Sequence, residues 1–269
     1  MAHPTEFDRA SAVRRTAEGA YEAAVDESFN VLRGPHGGYI AAMLLRALSD
    51  AAGDGARMPR SLTVYYPAAP VGGPVTIATK VERTGRSMSY VTARLEQEGS
   101  VAALATAAFS ADWPKTVELD TTERPDVPSA DDIPPLDRGG MVPPFTQYFD
   151  FRPTTGDRWF TGSPRALSGG WMRLVEDHEL DAPLVAALAD AWPPAIFPAA
   201  TDPVAAPTIE LTVHFRSPLP APGRWLLGVF ESRVARDGFF EEDGVLWSEE
   251  GEVIAQARQL ALAIGPPQT

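Results

Sequence analysis

Three stretches of the chain recur in the same order at an almost constant spacing, and a repeat of that length requires two copies of one folding unit. Leu62-Thr63-Val64 returns as Leu211-Thr212-Val213 at an offset of 149, Arg86 as Arg236 at 150, and Glu98-Gly99-Ser100-Val101 as Glu250-Gly251-Glu252-Val253 at 152. So small a drift over several strand-like segments marks an internal duplication. The 269 residues then divide into two units of ordinary domain size, and a 44% hydrophobic content can supply a core to each.

Each copy reads as a helix followed by strands. In the first, Gly37-Gly38 precedes a run of good helix formers, Tyr39 to Ala52, that ends at Gly53. Strand patterns follow at Leu62 to Tyr66, Val75 to Arg83, Ser89 to Gln97 and Val101 to Phe109, separated by glycines. In the second, Pro183 can open a helix that Pro193-Pro194 must stop, which predicts about ten residues around Leu184 to Trp192. Strands are predicted at Thr208 to Phe215, Trp225 to Ala235, Phe239 to Trp247 and Glu252 to Leu262. Between the copies, Asp112 to Pro144 is rich in proline and acid with no sustained apolar period, and reads as a linker. The expected division is therefore 1–112, a linker at 113–144, and 145–269, in an α+β class where an antiparallel sheet wraps a helix.

Composition narrows the function. There is no cysteine, which excludes disulfides, thiolate metal sites and a cysteine nucleophile. A net charge of −13 disfavours nucleic acid and anionic membrane, both of which demand a concentrated basic surface. A small anionic ligand remains compatible. Lys80 and Lys115 are the only lysines, and the arginine pairs Arg57/Arg60, Arg83/Arg86 and Arg233/Arg236 read as scattered surface charge or as phosphate contacts. The first residues lack a secretory signal pattern and no apolar run reaches membrane-spanning length, so a cytoplasmic location is the default expectation. No metal-ligand spacing, phosphate loop or Gly-x-Ser-x-Gly elbow is present in the sequence, and no cofactor is expected.

The helix with a Gly-Gly entry followed by a curled antiparallel sheet resembles the hot-dog fold. Its duplication in one chain resembles the double hot-dog acyl-CoA thioesterases of type II. The residues that carry the likeness are Gly34-Pro35-His36-Gly37-Gly38-Tyr39, Arg83-Thr84-Gly85-Arg86-Ser87, Leu188-Ala189-Asp190, Pro207-Thr208-Ile209 with Phe215, Trp225-Leu226-Leu227, and Gly251 through Gln259. The resemblance covers roughly Phe29 to Ile264 outside the linker and implies hydrolysis of acyl-CoA to free acid and CoA. It also implies a homo-oligomer that is permitted but not required, since the duplication already supplies the usual pair of units.

Family members hold a water with an aspartate, a threonine and a glutamine. Carried over by position, these are Asp190, Thr208 and Gln259, with Gly37, Gly38 and Tyr39 as substrate-binding residues; Tyr39 stands where better-known bacterial members have glutamine. Asp190 has support of its own, because Leu184 to Trp192 contains no other charged residue and its carboxylate must be paired, hydrated or functional. Gln259 shares strand parity with Val253, Ala255 and Ala257 and so points inward, as a site residue or a satisfied core glutamine. Its counterpart in the first copy is Ala107, which suggests one site per chain. Thr208 shares parity with Glu210, Thr212 and His214, so plain alternation puts it on the polar face unless a bend after Pro207 redirects it. Gly37 and Gly38 offer close backbone approach at a positive helix end, or simply tight packing. His36 reads as a solvated loop histidine.

Two alternatives stay open beside hydrolysis. A hot-dog hydratase or dehydratase would use an aspartate and histidine pair near the helix entry, and His36 has no aspartate close to it in sequence. A non-catalytic binder of acyl-CoA or fatty acyl groups would keep the cavity without turnover.

Overall fold

The computed structural model describes residues 3–32, 34–53, 55–114, 116–137 and 143–265. The first half runs α1 (Glu6–Ala10), β1 (Arg14–Ala17), β2 (Ala20–Val25), α2 (Gly37–Ala52), β3 (Met58–Tyr65), β4 (Gly73–Thr84), β5 (Met88–Gln97) and β6 (Ser100–Ser110). The second runs β7 (Phe149–Gly156), β8 (Ala166–Leu174), α3 (Ala182–Leu188), β9 (Thr208–Phe215), β10 (Leu226–Ser232), β11 (Ala235–Arg236), β12 (Phe239–Trp247) and β13 (Val253–Leu262). Both therefore carry a strand pair, a helix and a set of strands in the same order, as a duplication requires. The strand pairs ahead of the helices are additions to the sequence reading.

These strands form one antiparallel sheet in the order β1-β2-β4-β5-β6-β3-β9-β13-β12-β10-β8-β7, with β11 beside β12. The order reads the same from either end when each strand is replaced by its counterpart. The join is β3 against β9, where Leu62 pairs with Val213 and Val64 with Leu211. The two copies of Leu-Thr-Val thus lie antiparallel, with Thr63 opposite Thr212 and their hydroxyls 2.8 Å apart. An approximate two-fold axis passes between these threonines, and the equal-length match at this motif reflects it.

Helix α2 forms because Ala, Leu and Met dominate it, and it stops at Gly53, whose φ of 68° is left-handed. It is buried on nearly all sides from Gly38 to Leu48, since the sheet lies against one side and α3 against the other. Burial of each large aliphatic or aromatic side chain there contributes about 1.5–3 kcal/mol. Helix α3 is shorter than expected and starts earlier. Asp181 caps it by accepting from the Leu184 N–H at 2.8 Å, and beyond Leu188 the chain tightens into bonds from Asp190 N to Ala187 O and Ala191 N to Leu188 O. Asp190 consequently stands past the helix end, and Gly169-Gly170 lies within β8.

Part of the expected linker packs against the second half. Residues 124–133 pack on the outer face of the second half's sheet, where Trp171, Trp225 and Trp247 would otherwise face water. Val127, Ala130 and Ile133 cover them, Trp171 Nε1 donates to the Pro128 carbonyl at 2.9 Å, and Arg152 donates to the Ile133 carbonyl at 2.7 Å. Lys115 and 138–142 lie outside the described residues. Of the arginine pairs, Arg57 donates to Ser89, Gly85 and Arg86, Arg60 pairs with Asp112, and Arg233 pairs with Glu231 and Asp243. No described helix is long and apolar enough to cross a membrane.

Candidate active site

The N-terminus of α2 meets the end of α3, and glycine is needed for the approach. A Cβ on Gly38 would lie 2.5 Å from the Ala187 carbonyl oxygen, and one on Gly37 would lie 2.8 Å from Asp190 Oδ2. With no side chain in the way, the Gly38 N–H donates to Asp190 Oδ2 at 2.7 Å. The orphan amides of a helix start favour a carboxylate at this place. Gly38 is therefore committed to holding Asp190, while the Gly37 N–H has no partner among the described residues.

His36 caps α2. Its Nδ1 accepts from the Tyr39 N–H at 3.2 Å, so the ring proton must sit on Nε2, which faces the Asp190 carbonyl at 2.9 Å and Asp190 Oδ2 at 3.4 Å. The ring is 3% exposed and stacked on Phe145. The expectation of a solvated loop histidine is overturned, because the fold brings the distant Asp190 and Phe145 over it.

Asp190 is itself nearly buried, with 7% of its side chain exposed. Burial raises its carboxyl above the ordinary aspartate value, and the raise is opposed by His36 and the Gly38 N–H. Its Oδ1 lies 3.5 Å from Thr208 Oγ1. Thr208 donates to Gln259 Oε1 at 2.8 Å, and Gln259 Nε2 donates to Glu242 Oε1 at 2.7 Å. The three residues carried over from the family resemblance thus meet in one cluster drawn from the end of α3, from β9 and from β13, with Thr208 bonded to Gln259 and facing Asp190.

The conflict over Thr208 is resolved by a bulge. Gln259 pairs with Leu211 and Leu260 with Glu210, but Ala261 pairs with Thr208, so Ile209 is the extra residue. One extra residue reverses the parity beyond it and turns Thr208 toward Asp190. Gln259 points inward at 7% exposure, as its parity predicts, and its counterpart Ala107 is buried at 1%.

Tyr39 is corrected. Its ring is fully buried and stacked on Phe29, and its hydroxyl is shared among the Ala10 and Ala24 carbonyls and the Asp26 N–H. Its side chain is not in the cluster. It lies on the side of α2 away from Asp190.

Two residues at the site escape sequence reasoning. Tyr66, at the end of β3, donates to the Gly37 carbonyl at 2.9 Å, and its hydroxyl is pushed well above its ordinary value by burial and by the Asp190 and Glu210 carboxylates. Glu242 is 3% exposed on β12, opposite Gln259. A signal for Glu242 existed, since alternation with Phe240 and Leu246 puts it on the apolar face.

The family model for acyl-CoA thioesterase C-terminal domains matches residues 120–263, and that for acyl-CoA thioesterase N-terminal domains matches 25–110. A hot-dog protein of unknown function from Alicyclobacillus acidocaldarius is 28% identical, with a TM-score of 0.87 over 99% of this chain and 100% of its own. A provisionally named thioesterase II from Thermobifida fusca YX is 26% identical, with a TM-score of 0.83 over the same shares, 99% and 100%. The acyl-CoA thioesterase II TesB2 of Mycobacterium marinum shares the fold at 18% identity, with a TM-score of 0.76 over 97% and 99%. No curated protein matches the chain at a significant level. With both of its domains matched in order and its doubled fold shared, the chain belongs to the double hot-dog acyl-CoA thioesterases of the TesB-like, type II family.

Proposed function

We propose that the chain hydrolyses acyl-CoA thioesters to free acid and CoA, using a water held between Asp190, Thr208 and Gln259. The observation that carries this reading is the meeting of those three side chains beside the amino end of α2. The water oxygen bonds to the thioester carbonyl carbon while Asp190 takes its proton. Negative charge develops on the carbonyl oxygen, where the Gly37 N–H and the positive end of α2 can receive it. The C–S bond then breaks, and the proton on Asp190 goes to the departing thiolate. A thioester demands little more than this.

The closeness of His36 to Asp190 also bears on a hydratase reading, which needs such a pair. Both imidazole nitrogens are already used, one by the Tyr39 N–H and one by the Asp190 carbonyl, so the ring has no nitrogen left for a substrate. Release of free CoA from short, medium, long and aromatic acyl-CoAs separates the readings. Hydrolysis gives acid and CoA in equal amounts from at least one of them. Binding without release supports a carrier, and water addition to an enoyl-CoA with the thioester intact supports a hydratase.

The supporting pair has a graded signature. Gln259→Ala lowers kcat by ~10- to 100-fold, because the amide orients the water without accepting its proton. Thr208→Ala lowers kcat by about 10-fold with little change in melting temperature, since Thr208 is half-buried and its loss breaks the link between Gln259 and Asp190. Unchanged turnover in Thr208→Ala would remove the threonine from the mechanism.

A further inference from the structure

Glu242 is a carboxylate in the core with no ion pair among the described residues. Each of its oxygens takes one N–H: Oε1 that of Gln259 at 2.7 Å, and Oε2 that of Ala195 at 2.5 Å. The groups around it give no positive charge. From β13 it faces the neutral Gln259, from the chain after α3 the Ala195 N–H and the Asp190 carboxylate, and on its own strand Glu241 adjoins it. Strand β10, on the other flank of β12, turns Phe230 and Ser232 inward, neither ionisable in this range.

If this position served only to satisfy Ala195, a glutamine would do so without the cost of a buried charge. A carboxylate differs in one respect: it only accepts. It therefore draws Gln259 Nε2 toward itself and turns Oε1 toward Thr208. The single proton of Thr208 follows, at 2.8 Å to Gln259 against 3.5 Å to Asp190. Asp190 Oδ1 is thereby left open to a water. With a donor at position 242 the amide reverses, its Nε2 faces Thr208, and the Thr208 proton turns to Asp190 and occupies the lone pair that the water needs.

We propose that Glu242 is a positioning residue for thioester hydrolysis, whose carboxylate sets the direction of the hydrogen bonds through Gln259 and Thr208 so that Asp190 stays free to accept a proton from water. This rests on the reading of Asp190 as the base. Burial pushes the Glu242 carboxyl up to about 7, with Asp190 and Glu241 adding to the raise and Ala195 and Gln259 opposing it. The charged, productive form prevails above that value and the protonated form below it.

The test is the pH profile of kcat for the full chain on its best acyl-CoA, for wild type, Glu242→Gln and Gln259→Ala, with a thermal melt of each. In wild type, kcat falls by ~10-fold as pH drops through about 7, to the level of Glu242→Gln, in addition to the limb set by Asp190. Glu242→Gln lowers kcat by ~10-fold at alkaline pH with KM unchanged, and the fall near 7 disappears, leaving one limb from Asp190. If Glu242→Gln fails to fold, Gln259→Ala answers the question, because breaking the relay removes the same limb from its residual activity. A wild-type profile lacking the step near 7, or a variant that retains it while only its melting temperature moves, overturns the proposal. Failure of the parent reading looks different: wild type releases no CoA at any pH, or Asp190→Asn retains full turnover, and either overturns this inference too.

Discussion

Asp190→Asn removes nearly all acyl-CoA hydrolysis and leaves the protein folded. The amide keeps the size of the carboxyl and can still accept from the Gly38 N–H, now 2.7 Å from Oδ2, but it cannot take a proton from water. Loss of a general base typically costs 10²- to 10⁴-fold in rate, and kcat is expected to fall by about that much. Stability moves the other way. Because burial raises the Asp190 carboxyl, the aspartate favours the folded state most at low pH, and that contribution is lost as pH rises through the raised value. The asparagine variant lacks this loss, so its melting temperature at neutral pH equals or exceeds that of wild type. Steady-state CoA release together with a melt checks both halves, and full turnover would sink the site.

The first half expressed alone, 1–112, does not persist as a soluble monomer. It loses β9 from the edge of β3, where Ser61 to Tyr65 pair with His214 to Glu210, and leaves open backbone donors and acceptors at the centre of the sheet. It also uncovers the side of α2 that packs on α3, and it breaks the tie of α1 to the second half, made by Asp8 to His178 at 3.0 Å and by Phe7 edge-on to the same ring. Sedimentation is expected to show self-association or precipitation. A monomeric fragment with a cooperative melt would contradict the view that the halves are one folding unit.

The parts of the fold legible in the sequence are those with a strong period. Strands β9 and β12 coincide with their predicted bounds, and α2 begins two residues before Tyr39 because Gly37-Gly38 are its first turn rather than its entry. The strand pairs ahead of the helices are less legible for different reasons. Strand β1 is exposed along its whole length and has no alternation to read, while β8 carries Gly169-Gly170 in its middle and β7 carries Pro153. A glycine pair and a proline look like turns in sequence, yet here the glycines admit close backbones: a Cβ on Gly170 would lie 2.1 Å from the Arg152 carbonyl oxygen.

At the site, parity arguments worked wherever the register is regular and failed where it is not. Gln259 faces inward because β13 is regular from Ala255 to Leu260, past a bulge at Ile254, and Thr208 does so only because of the bulge at Ile209, which no periodicity reveals. His36 and Asp190 are far apart in sequence, so their meeting depends on the antiparallel packing of α2 and α3 rather than on any local signal. Tyr39 is carried over from the family resemblance, and its side chain points elsewhere: on a helix the next residue points about 100° away, and its ring goes into the core beside Phe29.

In the proposed mechanism water itself, activated by Asp190, attacks the thioester. Its most direct test is a single turnover in ¹⁸O-labelled water with enzyme in excess over acyl-CoA, followed by mass analysis of both the released acid and the peptide that contains Asp190. Direct attack predicts one labelled oxygen in the acid and none in the protein. Label in the Asp190 carboxylate with unlabelled acid would mean that the carboxylate had attacked the carbonyl itself, and would contradict the mechanism.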